Sequence, residues 1–209
     1  MKKAMFITFE GPDGSGKTTV STAVVERLLS EGYKVLYSRE PGGSDIAEQI
    51  RKVILDPENT AMDARTEALL YAASRRQHLV EKVLPALASG TSVISDRFID
   101  SSLAYQGCGR EIGMQEVYNI NQFAVEGYMP DRTIFLNIDA ETGLERIRKG
   151  RDYLDRLDQE SKAFHERVYA GYQEVIRRYS DRITVIDAGR TPEEVIEDAY
   201  AAVKALLDD

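Results

Sequence analysis

One cysteine is too few for an internal disulfide. Cys108 stands alone among the 209 residues, and a chain without disulfides suits a reducing cytoplasm. Long apolar runs are missing too. The N-terminus carries two lysines but only six apolar residues before Glu10, too short for a signal-peptide core, and no later stretch approaches a membrane span. Basic charge is in deficit: 27 Lys plus Arg against 35 Asp plus Glu leave a net charge of −8. A general nucleic-acid or membrane-surface binder would want a basic face, so neither partner is expected. A small anionic ligand is still permitted, because a local cluster of arginines can oppose the global sign. There is no internal repeat, no low-complexity tract and no linker rich in Gly, Ser or Pro. One soluble cytoplasmic domain over residues 1–209 is expected, since domains run to roughly 100–200 residues.

Five short apolar runs are present: Met5–Glu10, Val35–Ser38, Thr91–Asp96, Thr133–Ile138 and Ile183–Asp187. Longer segments with apolar residues at helical spacing separate them, such as Val20, Val24, Leu28 and Leu29 after the first run. Continuous apolar strands alternating with helices predict a parallel sheet buried on both faces by crossover helices. Gly32 and Gly90 sit where helices would end, and Thr191-Pro192-Glu193-Glu194 opens a last one.

The first run leads straight into Gly11-Pro12-Asp13-Gly14-Ser15-Gly16-Lys17-Thr18-Thr19. This string fits G-x-x-x-x-G-K-[ST] and lies between a predicted strand and a predicted amphipathic helix, the context that the motif requires. Its glycines let successive N–H groups of Gly11, Gly14, Ser15, Gly16, Lys17, Thr18 and Thr19 face one anion, and the helix N-terminus adds partial positive charge. Lys17 is expected at the β- and γ-phosphates of a nucleoside triphosphate and the Thr18 hydroxyl on Mg²⁺. The fold implied is an α/β P-loop NTPase, a three-layer sandwich with a five-stranded parallel sheet flanked by helices.

A second acidic element ends the third run at Asp96. An acid there can hold Mg²⁺ directly or through water. Arg97, Ser101 and Tyr105 follow at four-residue intervals and would share one face of a helix, marking a polar pocket. Taken alone, Asp96 and Arg97 would equally be a capping acid and a surface ion pair.

With these residues in view, the chain resembles the thymidylate kinase family. The resemblance rests on Phe9 to Thr18, Arg39-Glu40-Pro41-Gly42-Gly43, Leu69 to His78, Asp96-Arg97-Phe98, Ser101 to Gly107 and Arg156-Leu157-Asp158-Gln159-Glu160. It covers essentially the whole chain and implies phosphoryl transfer from ATP to dTMP, giving dTDP and ADP on the way to dTTP. By the same resemblance Asp13 is catalytic, placed at the acceptor's sugar and phosphoryl region. Arg97 grips the acceptor phosphate and Asp96 lies near Mg²⁺. Tyr71 stacks on thymine, Arg75 donates to the base edge, and Ser102 and Gln106 make further base contacts. Tyr105 crowds the 2′ position, and Glu40 belongs to the acceptor site. Arg51 is either a second acceptor-phosphate contact or an exposed helical arginine. On its own apolar run Tyr71 reads as core, Arg75 as a solvated face, and Cys108 and His78 as structural. Members of the family are generally homodimers, and the helix around Val117, Ile120, Phe123 and Ala124 has apolar residues to spare.

A charged insert at about residues 145–156 carries Arg146, Arg148, Lys149, Arg151 and Arg156 among acids. It reads either as a solvated helix held by pairs such as Arg148 with Asp152 and Asp152 with Arg156, or as a short lid. In the lid reading an arginine is brought to the transferred phosphoryl group, where its fixed charge and forked donors suit the task. Gly14 stands where some family members carry an arginine, so the resemblance to bacterial-type members places that arginine in the lid, with Arg151 the first choice and Arg148 the second. Two other functions compete. One is a kinase for another nucleotide or nucleoside. The other is a nucleotide-dependent switch, against which the chain has no Asn-Lys-x-Asp string; Asn137-Ile138-Asp139-Ala140 comes nearest.

Overall fold

Strands β1 (Phe6–Glu10), β2 (Val35–Arg39), β3 (Ser92–Asp96), β4 (Arg132–Asn137) and β5 (Ile183–Asp187) form one parallel sheet in the order β2-β3-β1-β4-β5. The structure is a computed structural model and describes residues 3–150 and 155–208. All five strands fall within one residue of the runs read from sequence. Side chains alternate across β1, where Ile7 and Phe9 enter one core while Phe6 enters the other. On the first face Val20, Val24 and Leu28 of α1 (Lys17–Ser30) pack with Val195, Ala199 and Val203 of α9 (Pro192–Asp208). The opposite face is covered by α3 (Ala64–His78), α4 (Leu84–Ala88), α6 (Met114–Val125) and α8 (Lys162–Arg178), with Val93, Leu79, Val117 and Val175 meeting in its core. The three layers expected of the fold are present.

Two helices bend by adopting π-helical turns. α3 passes through a π-helical segment, Leu79–Val83, before α4, whose second residue is Pro85. Proline lacks an N–H and its ring would clash with a carbonyl one turn earlier, and a widened turn relieves both. The short α5 (Ile99–Ser102) likewise runs into a π-helical turn, Leu103–Gly109. Arg97, Ser101 and Tyr105 therefore do not share a regular helix, as their spacing implied. Arg97 precedes α5 in the left-handed region at φ 73°, and the three side chains converge by that route instead.

The remaining helices are α2 (Asp45–Leu55) and α7 (Ala140–Gly150). α7 lies backbone to backbone on the loop after β1. A Cβ on Gly143 would come within 2.4 Å of the Asp13 carbonyl oxygen, and one on Gly14, at φ +78°, within 2.1 Å of the Gly143 carbonyl oxygen. A larger residue at either position would force the two apart.

Candidate active site

The C-terminal ends of β1, β2 and β3 stand side by side, because β3 returns between the first two strands. Ligands of open parallel sheets bind at this edge, and a cavity of about 380 Å³ opens here. The loop after β1 forms its floor. Lys17 is buried, and its Nζ donates to the Pro12 carbonyl at 2.7 Å and to Ser15 Oγ at 3.3 Å. Burial, and then the nearby Arg97 charge, lower its pKa to about 8. In the register that pairs Phe9 with Asp96, the loop reaches the end of β3. There Thr18 Oγ1 donates to Asp96 Oδ2 at 2.6 Å, so the two residues expected around Mg²⁺ do meet.

Beside the loop Arg97 is the hub. Its Nη1 donates to Ser101 Oγ at 2.9 Å, Tyr172 Oη at 3.1 Å and the Gly11 carbonyl at 3.3 Å. Its Nη2 pairs with the Asp13 carboxylate and lies 3.4 Å from Tyr105 Oη. Tyr105 in turn donates to Asp13 Oδ2 at 2.6 Å. An acid inside a phosphate loop would repel phosphates, and here a guanidinium and a phenol offset its charge.

Glu10 lies beneath this hub, wholly buried, and accepts from Phe98 N at 2.7 Å, Ser101 Oγ at 2.5 Å and Tyr172 Oη at 3.2 Å. Burial, reinforced by the Asp100 charge, pushes its carboxyl up to about 7. By tying the turn after β3 to the end of β1, Glu10 holds the left-handed backbone that aims Arg97.

Glu40, Arg51, Tyr71, Tyr105 and Gln106 also line the cavity. Arg51 donates to the Pro41 carbonyl at 2.8 Å, and burial lowers its pKa, so the exposed-arginine alternative fails. Tyr71 belongs to a core cluster with Ile54 and Phe164 and also lines the cavity. Arg75 is buried, not solvated. Its Nε donates to Glu40 Oε2 at 2.8 Å, its Nη1 to Ser102 Oγ at 3.0 Å and to Asn121, and its Nη2 to the Phe98 carbonyl at 2.9 Å. Arg75 and Ser102 thus stand behind the wall, and Ser101 is on it. His78 bridges Ser38 Oγ at 2.6 Å and Glu40 Oε1 at 2.9 Å, which fits a structural part. Cys108 is a partly exposed free thiol.

The charged insert divides. Arg146 and Ile147 of α7 line the cavity, whereas Arg148 is exposed and not among the lining residues. Residues two apart on a helix point about 200° apart, so one face cannot present both arginines. Arg151 and Asp152 lie outside the described residues, and so do the ion pairs that Asp152 would make. Arg156 is no part of a solvated lid, because its Nε donates to the Ile54 carbonyl at 2.8 Å and its Nη2 to the buried Glu67 at 2.5 Å. The insert ends anchored on the body.

The sequence alone does not single out Glu10, Glu67 or Tyr172, and it offers Arg146 only as one of several insert arginines. A signal existed for Glu67, which precedes Tyr71 by four residues and Arg75 by eight, on one helix face. Nothing local marks Tyr172, which comes from α8, far along the chain.

A phosphate loop, an acid at the end of the neighbouring strand and an arginine opposite both, carried on a 2-3-1-4-5 parallel sheet, define a P-loop nucleotide-binding protein. The family model for thymidylate kinase matches residues 9–199. Thymidylate kinase of Enterococcus faecalis is 56% identical over 203 residues, 96% of either chain. That of Geobacillus sp. (strain WCH70) is 54% identical over 202 residues, again 96% of each. The crystal structure of thymidylate kinase from Ehrlichia chaffeensis superposes with a TM-score of 0.79 at 31% identity, covering 97% of this chain and 100% of that one. The chain belongs to the thymidylate kinase family.

Proposed function

We propose that the cavity holds the ATP phosphates over the loop after β1 and dTMP against Tyr71 and Gln106. The chain is a nucleoside monophosphate kinase that transfers the γ-phosphoryl group of ATP to dTMP, giving ADP and dTDP, a step towards dTTP. The observation that carries this reading is that Lys17 and Arg97, each following its own strand end, both line one cavity. A phosphate oxygen is already a competent nucleophile near neutral pH, so the site needs no strong general base. It needs the two phosphates held in line and their charge opposed.

In this division of labour the loop N–H groups and Lys17 hold the donor. Arg97 and Arg51 hold the acceptor phosphate, and Asp13 and Tyr105 border its sugar. Mg²⁺ bound to the triphosphate neutralises charge gathering on the transferring group. Thr18 and Asp96 would hold it, since a hydroxyl and a carboxylate 2.6 Å apart suit a hard cation that takes few protein ligands. The segment at about 145–156, anchored at its far end by Arg156, acts as a lid that supplies an arginine and excludes water. Arg146 already lines the cavity, and Arg151 is the other candidate by its place in the sequence.

Assays of ADP release with MgATP and dTMP, dUMP, dCMP, AMP, UMP, CMP or thymidine test the reading. dTMP is expected to be fastest and dUMP a weaker second. Another favoured acceptor would keep the kinase and discard the base pocket, while acceptor-independent hydrolysis would discard both.

The working form is a cytoplasmic homodimer joined through α3 and α6. There Phe123 is 89% exposed and Leu69 56%, beside Ile120 and Ala73, more apolar side chain than a solvated face normally leaves out. No helix among the described residues is long and apolar enough to cross a membrane. Phe123→Arg is expected to halve the mass seen by sedimentation equilibrium, and an unchanged mass would move the interface elsewhere.

A further inference from the structure

Behind the base end of the cavity sits a carboxylate that the reaction itself does not use. Glu67 is fully buried, and each of its oxygens accepts more than one hydrogen bond. Oε2 accepts from Arg110 Nη2 at 2.9 Å and from Arg156 Nη2 at 2.5 Å. Oε1 accepts from Gln106 Nε2 at 2.8 Å, and Arg110 Nε is shared between the two oxygens, 3.1 Å from Oε2 and 3.2 Å from Oε1. Hydrogen bonds from Arg110, Gln106 and Arg156 and the Arg110 charge outweigh the effect of burial and hold the Glu67 pKa below its ordinary value. An ionised carboxylate carries no hydrogen and can only accept. The end of the Gln106 side chain that faces it must therefore be the NH₂. A planar amide then turns its carbonyl oxygen the other way, and Gln106 lines the cavity, with no partner for Oε1 among the described residues.

We infer that Glu67 sets base specificity by locking the Gln106 amide with Oε1 towards the acceptor base, so that the pocket takes a pyrimidine presenting a ring N–H and rejects one presenting a lone pair. The inference rests on the reading that the dTMP base occupies this end of the cavity. Thymine and uracil carry a hydrogen on N3, and cytosine carries a lone pair there. A carbonyl oxygen aimed at that edge bonds the first two and repels the third, and an unpaired polar group in a closed site is what discriminates most strongly. Glu67 acts through Gln106 and touches no substrate, which makes it a positioning residue.

The matched acceptors are dTMP and 5-methyl-dCMP, which share the methyl group, sugar and phosphate and differ at the base edge. In Glu67→Gln the new carbonyl takes the Oε2 position, where Arg110 Nε and Nη2 and Arg156 Nη2 converge, leaving an NH₂ towards Gln106. That reverses the Gln106 amide. The ratio of kcat/KM for dTMP to that for 5-methyl-dCMP is expected to fall about tenfold or more, with an absolute gain on 5-methyl-dCMP that loss of structure cannot produce. In a Gln106→Ala background the same change should leave the ratio alone. An unchanged ratio in Glu67→Gln, or a general loss on both acceptors, overturns the inference.

Should that variant not fold, the wild-type protein still decides. The Gln106 side-chain NH₂ resonances should keep their shift and their protection from exchange when dTMP binds. A nuclear Overhauser contact between those protons and the thymine ring would place the amide the other way and overturn the inference. Failure of the dTMP reading looks different, because the wild type would then show no preference for dTMP in the first place.

Discussion

Lys17→Ala is expected to lower kcat by on the order of 10³-fold, the scale of losing one preorganised charge at a transferring phosphoryl group. The fold should survive. Lys17 is buried with its ammonium on the Pro12 carbonyl and Ser15, and its lowered pKa says that the surroundings penalise the charge more than they reward it. Thermal midpoints of the two proteins should therefore agree closely or favour the variant.

The same residue gives ATP binding a pH dependence of known sign. Without nucleotide Lys17 titrates at about 8, and a bound triphosphate favours the charged form. Below pH 8 the ammonium is ready and binding is at its strongest. As pH rises through 8, binding must also take up a proton, and affinity falls by up to about tenfold per pH unit. Calorimetry at pH 8.5 in two buffers of different ionisation heat should record proton uptake in the wild type and none in Lys17→Ala. A wild type that takes up no proton would remove Lys17 from the phosphates.

The second large effect is expected at Arg97. One guanidinium here engages Ser101, Tyr172 and the Gly11 carbonyl through one nitrogen, and Asp13 and Tyr105 through the other. Arg97→Ala removes the cation opposite the acceptor phosphate and leaves the Asp13 carboxylate to repel that phosphate. kcat/KM for dTMP should fall by on the order of 10³-fold. Arg97→Lys should recover little, because a single ammonium cannot span the fork. Adding Asp13→Asn to Arg97→Ala should raise dTMP affinity over the single variant, since the uncompensated acid is gone. Steady-state kinetics with dTMP varied separate these outcomes. An alanine variant within tenfold of wild type would mean that another cation, Arg51 first, carries the acceptor.

Some of the site could be read before folding and some could not, and the division follows from what each residue's position depends on. Gly11 to Thr19 is a local device: glycine torsions, a strand before and a helix after are all encoded within a dozen residues. Five strands were placed within one residue because each is a short apolar run, although only β1 and β3 are buried throughout and the edge strand β5 is largely exposed. Arg97, Ser101 and Tyr105 were correctly grouped but for an incomplete reason, since a left-handed residue and a π-helical turn, not a regular helix face, bring them together. Among the arginines of the insert, the family resemblance favoured Arg151 and then Arg148, and left Arg146 unchosen. The phase of α7 puts Arg146 rather than Arg148 on the cavity, and the phase is set by how Gly143 packs on Gly14.

What the amino-acid order determined by itself is local: a phosphate cradle and an alternation of strand and helix. These depend on torsional preference and hydrophobic periodicity, which act over a few residues. Only the tertiary structure decided which charges are answered and by whom. Asp13 meets Arg97 across 84 positions, Arg75 meets Glu40 across 35, and Glu67 meets Arg156 across 89. Such pairs form because a buried charge must find its partner wherever the strand order brings one, and no spacing rule along the chain records that order.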